Sequence, residues 1–130
     1  MNAERFLRKE NVIAVVGATT NKEKWGYKVY MKLRGVFSRV YPVNPKYSDI
    51  LGDICYPGLK SLPEKPDVVI TVVPPEVTEK VVVACRELEI RKVWMQPGSE
   101  SVKATEFCKS NGIEYVSNAC FVVDGMKGRL

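Results

Sequence analysis

Histidine is absent from the 130 residues of this chain. Its absence excludes histidine-based acid–base catalysis, Ser-His and Cys-His nucleophile pairs, and nearly every catalytic zinc site. The cysteines at positions 55, 85, 108 and 120 form no CxxC pair and lack metal-ligand spacing. The sequence therefore predicts free thiols and no metal site. We expect Cys85 and Cys108, on apolar helix faces, to lie in the core.

Long apolar segments are also missing. No window approaches the roughly 18 apolar residues of a membrane helix. Residues 1–10 lack the apolar stretch of a signal peptide, so we expect a cytoplasmic location. Glutamine occurs once while Val, Lys and Glu are frequent, which is a weak signature of a thermophile.

The basic charge of the chain is concentrated in one region. The chain has 20 Lys+Arg and 15 Asp+Glu, a formal net charge of +5, and residues 20–50 hold seven cations against two anions. A local excess of this kind favours a small anionic ligand over nucleic acid or a membrane surface.

Apolar runs alternate with helical patterns along the chain, which is typical of a parallel α/β fold. The length predicts a single domain over residues 1–130. We expect a three-layer, Rossmann-like, doubly wound sheet of five parallel strands in the order 3-2-1-4-5. The predicted strands cover residues 11–16, 40–43, 68–73, 92–95 and 113–116. The predicted helices cover residues 2–9 and 25–34, a segment that begins at Pro75 with Val77 and Val81 inward, and a segment from Ser99 or Glu100 to Gly112 with Val102 inward.

Unusual turn residues follow every predicted strand. In a parallel sheet these segments meet at the carboxyl edge, where ligands bind near the switch point. The segments are Gly17–Asn21, Asn44–Lys46, Pro74–Pro75, Gln96–Ser99 and Asn118–Cys120. Chance turn chemistry would spread Gly, Pro and Asn over both edges, so we interpret this edge as the binding site.

The first turn is a candidate phosphate site. Gly17 allows close approach of a backbone to a phosphate, and Thr19 and Thr20 add hydroxyl donors near Lys24. Alternatively, one of these threonines, or Asn21, is only a helix N-cap. The turn is neither a GxGxxG fingerprint nor a Walker A loop.

The end of the second strand discriminates between nucleotides. An NAD site requires a carboxylate there to hold the ribose hydroxyls, but the chain offers Asn44-Pro45-Lys46. The pattern disfavours NAD and favours a ribose with its own phosphate, as in NADP or coenzyme A. Lys46 is otherwise a solvated loop lysine.

Four segments resemble the single-domain CoA-binding protein family, whose fold is that of the CoA-binding N-terminal domain of the succinyl-CoA synthetase alpha subunit. The segments are Gly17–Thr19, Lys24–Val29, Tyr41–Lys46 and Val93–Gly98, and the resemblance extends over residues ~5–122. It implies that CoA is the ligand. The synthetase also needs a phosphohistidine loop, which a chain without histidine cannot supply.

The resemblance also implies a place for each part of CoA. The diphosphate would lie at Gly17, Ala18, Thr19 and Thr20, and the adenosine with its 3′-phosphate at Asn44, Pro45 and Lys46. The adenine would pack on Val73, Pro74 and Pro75, and the pantetheine arm would run past Gln96, Gly98, Asn118 and Cys120. Pro97 departs from the family pattern and removes one N–H donor.

Two of these assignments have structural alternatives. Pro74 and Pro75 either form a wall for adenine or only end a strand and begin a helix. Cys120 either faces the sulfur of the ligand, where a mixed disulfide with oxidised CoA becomes possible, or is a small buried apolar residue.

No nucleophile–base pair stands out in the sequence. The residues and the resemblance therefore predict a protein that binds CoA, or acyl-CoA, without self-contained catalysis. The alternatives are an NADP-binding, reductase-like protein and a CoA-presenting subunit of a larger acyl-CoA enzyme.

Overall fold

A five-stranded parallel sheet forms the centre of the computed structural model, which describes residues 3–126. Its strands are β1 (Val12–Val16), β2 (Arg39–Val43), β5 (Val68–Thr71), β6 (Lys92–Met95) and β7 (Glu114–Val116), and a separate antiparallel hairpin consists of β3 (Asp49–Ile50) and β4 (Asp53–Ile54). The helices are α1 (Trp25–Arg34), α2 (Pro75–Glu87) and α3 (Val102–Ser110). Shorter elements are the 3₁₀ turns Ala3–Phe6 and Leu59–Ser61 and the π-helical turn Phe121–Gly125.

The sheet has a hydrophobic core on each face. Alternate residues of a strand point to opposite faces, so Ile13 and Val15 pack with α1 and the turn Phe121–Gly125, whereas Ala14 and Val16 pack with α2 and α3. Strands covered on both sides are apolar throughout, as β1 is. The predicted three-layer, Rossmann-like α/β fold with five parallel strands is confirmed.

The predicted strand order was wrong. The observed order is β2-β1-β5-β6-β7, so the third strand of the sheet in chain order pairs with the first and not with the second. Pro42 lies within β2 and has no N–H for a second neighbour, which confines β2 to the edge of the sheet. Every residue of β5 is buried, and burial of this kind requires a central position.

The corrected strand order changes the position of the switch point, where successive strands begin to be added in the opposite direction. From β1 the chain passes through α1 to β2 in one direction, while β5, β6 and β7 follow one another in the other direction. Right-handed crossovers then place α1 on one face and α2 and α3 on the other. The crevice at the carboxyl edge therefore opens between β1 and β5.

Three local expectations also need correction. The predicted N-terminal helix is only the 3₁₀ turn Ala3–Phe6, and residue 2 lies outside the described residues. Helix α3 begins after Ser101, whose hydroxyl accepts from Ala104 N–H, and not at Ser99 or Glu100. In consequence Val102 occupies the first turn and is 77% exposed, while Ala104 is buried.

The inner face of α2 is rotated from the predicted one. Thr78, Val82 and Cys85 are fully buried, whereas Val77 and Val81 are only partly buried. The helix begins at Pro75, as the sequence predicts. Cys85 and Cys108 lie in the core between the helices and the sheet, as predicted.

Candidate functional site

A cleft of about 780 Å³ opens at the carboxyl edge of the sheet. It lies at the corrected switch point, because its walls come from the segments after β1, β2, β5 and β6 and from the first turns of α1 and α2. The predicted residues that line it are Gly17, Thr19, Lys24, Asn44, Pro45, Lys46, Val73, Pro74 and Gly98.

Two glycines bring the walls of the cleft together. Gly17 has a φ of +104°, and a Cβ there would lie 2.2 Å from the carbonyl oxygen of Val72 after β5. A Cβ on Gly26 would lie 2.1 Å from the carbonyl oxygen of Gly17. Gly17 is thus required by the protein's own backbone, whereas the sequence pointed only to a ligand. Gly26 allows the N-terminus of α1 to pack against that turn.

The N-terminus of α1 faces the cleft without a cap. Lys24 occupies the N-cap position, makes no side-chain capping bond, and the first turn contains no acidic residue. The first N–H groups of a helix lack intrahelical partners and carry a partial positive charge. Lys24, Lys46 and one carboxylate, that of Glu23, also line the cleft. The helix terminus and the two lysines together favour a phosphate-bearing ligand.

Asn44 connects the turns after β1 and β2. Its Nδ2 donates to the carbonyl of Ala18 at 2.9 Å, and its Oδ1 accepts from the backbone N–H of Lys46 at 3.0 Å. Both functional atoms of the amide are therefore used within the protein. Asn44 positions Lys46, whose side chain is exposed at the cleft.

Tyr47 forms a second connection between the same turns. Its hydroxyl lies 2.8 Å from Oγ1 of Thr19, a side chain that is 8% exposed. Hydrogen bonds from Thr19 and Thr20 lower the pKa of Tyr47 from its usual value, with a smaller effect of the charge on Lys46. Thr19 in turn accepts from Asn21 N–H, so its hydroxyl fixes the first turn.

The turn after β6 is held by a buried polar network. Ser99 Oγ lies 2.9 Å from Thr71 Oγ1 and within hydrogen-bond distance of the carbonyls of Thr71 and Gln96. Gly98 N–H donates to the carboxylate of Glu100 at 3.0 Å. Since Pro97 has no N–H and that of Gly98 is already bonded, this turn offers a ligand its carbonyl oxygens and not its N–H groups.

A smaller cavity of about 140 Å³ adjoins the cleft. Trp25, Val72 and Pro97 line both spaces, and Gln96 and Cys120 complete the smaller one. Cys120 is 9% exposed, and its sulfur accepts from Gln96 Nε2 at 3.3 Å. Both interpretations of Cys120 thus agree with its position, because it is nearly buried yet reaches a cavity.

Four predicted site residues line neither space. Ala18 is fully buried and contributes its carbonyl to Asn44, while Thr20 is exposed beside the cleft. Pro75 is the first residue of α2, and Asn118 has a φ of +62° in the segment after β7. The structural alternative for Pro75, the start of a helix, describes its position.

Ten residues that line the two cavities are not among the predicted site residues: Val16, Glu23, Trp25, Gly26, Val43, Tyr47, Val72, Val77, Pro97 and Ser99. Trp25 is the instructive one. The sequence predicts it only as part of the helix 25–34, but as the first residue of α1 it lies at the sheet edge and is 52% exposed. An aromatic at the start of a helix that follows a phosphate-type turn was the available signal.

Metal-ligand clusters and membrane-spanning helices were also sought in residues 3–126. No group of three or more Cys, Asp or Glu side chains there could hold a metal ion. No helix in that range is long and apolar enough to cross a membrane.

Comparison with known sequences identifies the family. Residues 11–126 match the sequence profile of the CoA binding domain. The chain belongs to the CoA-binding domain family. The resemblance noted in the sequence is thereby confirmed.

Larger enzymes contain similar segments. The CoA-binding domain is 40% identical over 119 residues to acetate–CoA ligase (ADP-forming) I of Archaeoglobus fulgidus. That alignment covers 84% of this chain but 17% of the ligase, so the chain spans a small fraction of this curated relative.

Solved structures share the fold of this CoA-binding domain. A conserved hypothetical protein from Pyrococcus furiosus superposes with a TM-score of 0.82 at 38% identity, over 87% of this chain and 97% of that one. The dinucleotide-forming acetyl-coenzyme A synthetase 1 of Candidatus Korarchaeum cryptofilum, in complex with phosphate and ADP, gives a TM-score of 0.74 at 26% identity. It is covered over 26% of its length, and this chain over 88%.

Proposed function

We propose that this chain binds coenzyme A in the cleft at the carboxyl edge of the sheet, without catalysing a reaction by itself. The observation that carries the proposal is the uncapped N-terminus of α1, which faces a cleft with Lys24 and Lys46 in its walls. A helix terminus is suited to a diphosphate, and a nearby lysine to a further phosphate on the ribose. Membership of the CoA-binding domain family supports the same ligand.

The shape of the cleft accommodates a long ligand. Neighbouring strands are about 4.8 Å apart, so the cleft extends about 10 Å from the end of β1 to the end of β6. The diphosphate would lie at Gly17, with the adenosine toward Lys46 and Pro74. The pantetheine arm would then cross the end of β5 toward Pro97 and Gly98 and donate its amide N–H groups to the free carbonyls of that turn.

The polar side chains of the site argue against self-contained catalysis. Ser99 lies in the cleft walls, is 2% exposed, and its hydroxyl bonds to Thr71 and to backbone carbonyls. No histidine is available as a base anywhere in the sequence. A nucleophile needs an adjacent base within hydrogen-bond reach, and Ser99 has only acceptors and another hydroxyl.

Titration calorimetry with CoA, NADP and NAD tests the proposal. We expect binding of CoA, with NADP and NAD at least about tenfold weaker. Tighter binding of NADP than of CoA would favour the reductase-like alternative and would contradict the proposal. Absence of CoA binding would overturn it entirely.

The similarity to part of an acetate–CoA ligase favours a second candidate function, in which the chain presents CoA to a larger acyl-CoA enzyme. The two candidates predict opposite effects on a ligase from which the matching segment has been deleted. A CoA-presenting subunit restores or accelerates thioester formation when it is added. A free-standing binding protein lowers the free CoA concentration and slows the residual reaction.

A further inference from the structure

We infer that the small cavity beside the cleft receives the thioester end of a short-chain acyl-CoA and sets an upper limit on acyl length. The inference rests on the proposed function, because it assigns the reactive end of the same ligand. It starts from the continuity of the two spaces, which share Trp25, Val72 and Pro97 as walls. A ligand arm that follows the cleft past β5 therefore arrives at the mouth of the cavity.

The far wall of the cavity is fixed. The Oε1 atom of Gln96 accepts from Phe121 N–H at 2.6 Å, and its Nε2 donates to the sulfur of Cys120 at 3.3 Å. Gln96 is 3% exposed, and Phe121 is fully buried in the core. Lengthening of the cavity in this direction would require displacement of core residues, which close-packed interiors resist.

The volume of the cavity limits what can enter. A dry cavity of about 150 Å³ in another protein holds benzene, which has six heavy atoms, and this cavity measures about 140 Å³. A thioester sulfur, its carbonyl and a three-carbon tail together also have six heavy atoms. Acetyl to butyryl groups therefore fit, whereas longer chains do not.

Gln96 gives the cavity a polar contact suited to a thioester. An amide nitrogen has two N–H donors, and the bond to Cys120 uses one of those on Gln96. The other donor can serve the carbonyl oxygen of an acyl thioester. Trp25, Val72 and Pro97 supply apolar walls for the alkyl part, so the cavity matches both halves of a short acyl group.

Trp25 lines both this cavity and the cleft and is 52% exposed. Trp25 belongs to neither of the two hydrophobic cores, and the ammonium of Lys28 lies 5.0 Å from the centre of its ring. Trp25→Ala should therefore open the cavity to solvent and relax the length limit without disturbing the fold. Met31→Ala, a change on the same helix at a residue outside both spaces, is the matched control.

The test is a calorimetric series with CoA and its acetyl, butyryl, hexanoyl and octanoyl thioesters. We expect acetyl-CoA and butyryl-CoA to bind within about threefold of each other and octanoyl-CoA to bind at least about tenfold more weakly, because overfilling a packed site has that cost. In Trp25→Ala the ratio of octanoyl to acetyl dissociation constants should fall at least about fivefold, and in Met31→Ala it should stay at the parent value.

The thioether S-ethyl-CoA tests the contact to Gln96, because it has the alkyl group of acetyl-CoA without the carbonyl. Loss of a single hydrogen bond should weaken its binding by about two- to tenfold relative to acetyl-CoA. Equal binding of the two would refute the assignment of Gln96 to the thioester carbonyl.

The outcomes separate this inference from the function on which it rests. Normal binding of CoA with equal affinity for every acyl length would overturn the inference alone, because the acyl group would then point to solvent. A preference for octanoyl-CoA would also overturn it. If CoA itself does not bind, the proposed function and this inference fail together.

Discussion

Asn44 and Lys46 stand two residues apart but have different roles in the cleft. The amide of Asn44 bonds to the carbonyl of Ala18 and to the backbone N–H of Lys46, so Asn44 fixes the shape of the site. The ammonium of Lys46 is left exposed at the rim, where it can meet a phosphate. The two residues should therefore respond differently to substitution.

Lys46→Ala should weaken CoA binding by about tenfold or more, because a charge-assisted contact contributes roughly 1.5–3 kcal/mol. Dephospho-CoA lacks the ribose 3′-phosphate and should bind the variant and the parent protein equally well. Calorimetry with both ligands measures the difference. Lys60→Ala, in the turn Leu59–Ser61 outside the cleft, is the control for loss of a positive charge. An equal loss for both ligands would remove Lys46 from the phosphate site.

Asn44→Ala should lower the free energy of unfolding as well as CoA affinity. The carbonyl of Ala18, a fully buried residue, loses its donor, and an unsatisfied buried group of this kind costs about 1–3 kcal/mol. Chemical denaturation and calorimetry measure the two effects. Unlike Lys46→Ala, this variant should lose affinity for dephospho-CoA too. An unchanged unfolding free energy would show that the bond to Ala18 contributes little.

The residue types of this site could be predicted from the sequence, but the directions in which their side chains point could not. Gly, Asn, Lys and Pro after parallel strands indicate a binding edge, and most such residues do line the cleft. Whether an amide points into the cleft or into the neighbouring turn depends on the distance between two turns far apart in sequence. Asn44 and Ala18 are 26 residues apart, and only the fold brings them together.

At the scale of elements, the contact between α1 and the turn after β1 shapes the candidate diphosphate site. Gly26 lies against the carbonyl of Gly17, and Gly17 lies against that of Val72. Three backbone segments thus approach each other with no side chain between them. The position of the helix N-terminus at the cleft depends directly on this contact.

Gly26→Ala should displace α1 from the turn and reduce both stability and CoA affinity. An added Cβ would lie 2.1 Å from the Gly17 carbonyl oxygen, closer than atoms can approach. We expect a loss of about 1–3 kcal/mol in unfolding free energy, typical of overpacking, and about tenfold weaker CoA binding. The control is Gly35→Ala at the C-terminal end of the same helix, where the nearest atom lies at 3.6 Å. Equal stability of the two variants would contradict this account.

A proline in β2 accounts for the difference between the predicted and the observed strand order. Pro42 indicates an interrupted ladder, and an interrupted ladder belongs at an edge. The opposite expectation, that β2 is internal, depended on a familiar order for nucleotide-binding sheets. Periodicity identifies a strand and its buried faces, but the choice of neighbours depends on crossovers such as residues 44–66, which contain a hairpin and no α-helix.

At the scale of the whole molecule, two buried thiols and a buried phenol make the free energy of unfolding depend on pH in the alkaline range. Burial raises the pKa of Cys85 from its usual 9.0 to about 12 and that of Cys108 to about 11. Burial, and then the hydrogen bond to Asp53, raise the pKa of Tyr30 above its usual 10.0. The folded protein therefore keeps protons that the unfolded chain releases.

Unfolding free energy should fall as pH rises from about 9 toward 12. Below pH 9 both states are protonated, so the stabilisation is fully present, and above it only the unfolded chain ionises. Each such group contributes a slope of up to about 1.4 kcal/mol per pH unit. Chemical denaturation at pH 8, 9, 10 and 11 measures how the unfolding free energy depends on pH. The double variant Cys85→Ala, Cys108→Ala should be less stable than the parent protein at pH 8 yet lose stability less steeply as the pH rises, and a parallel slope would refute this cause.

The chain alone should not carry out the reaction for which its ligase relative is named. With acetyl-CoA, ADP and phosphate, we expect no formation of ATP or of free CoA thiol above background. A phosphoryl relay through histidine is impossible in a sequence that has none, and the Ser99 hydroxyl is bonded within the turn after β6. The full-length Archaeoglobus fulgidus ligase in the same mixture serves as the positive control. Turnover by this chain that falls in Lys46→Ala together with CoA affinity would show that the cleft is an active site, and the assignment of binding without catalysis would then be wrong.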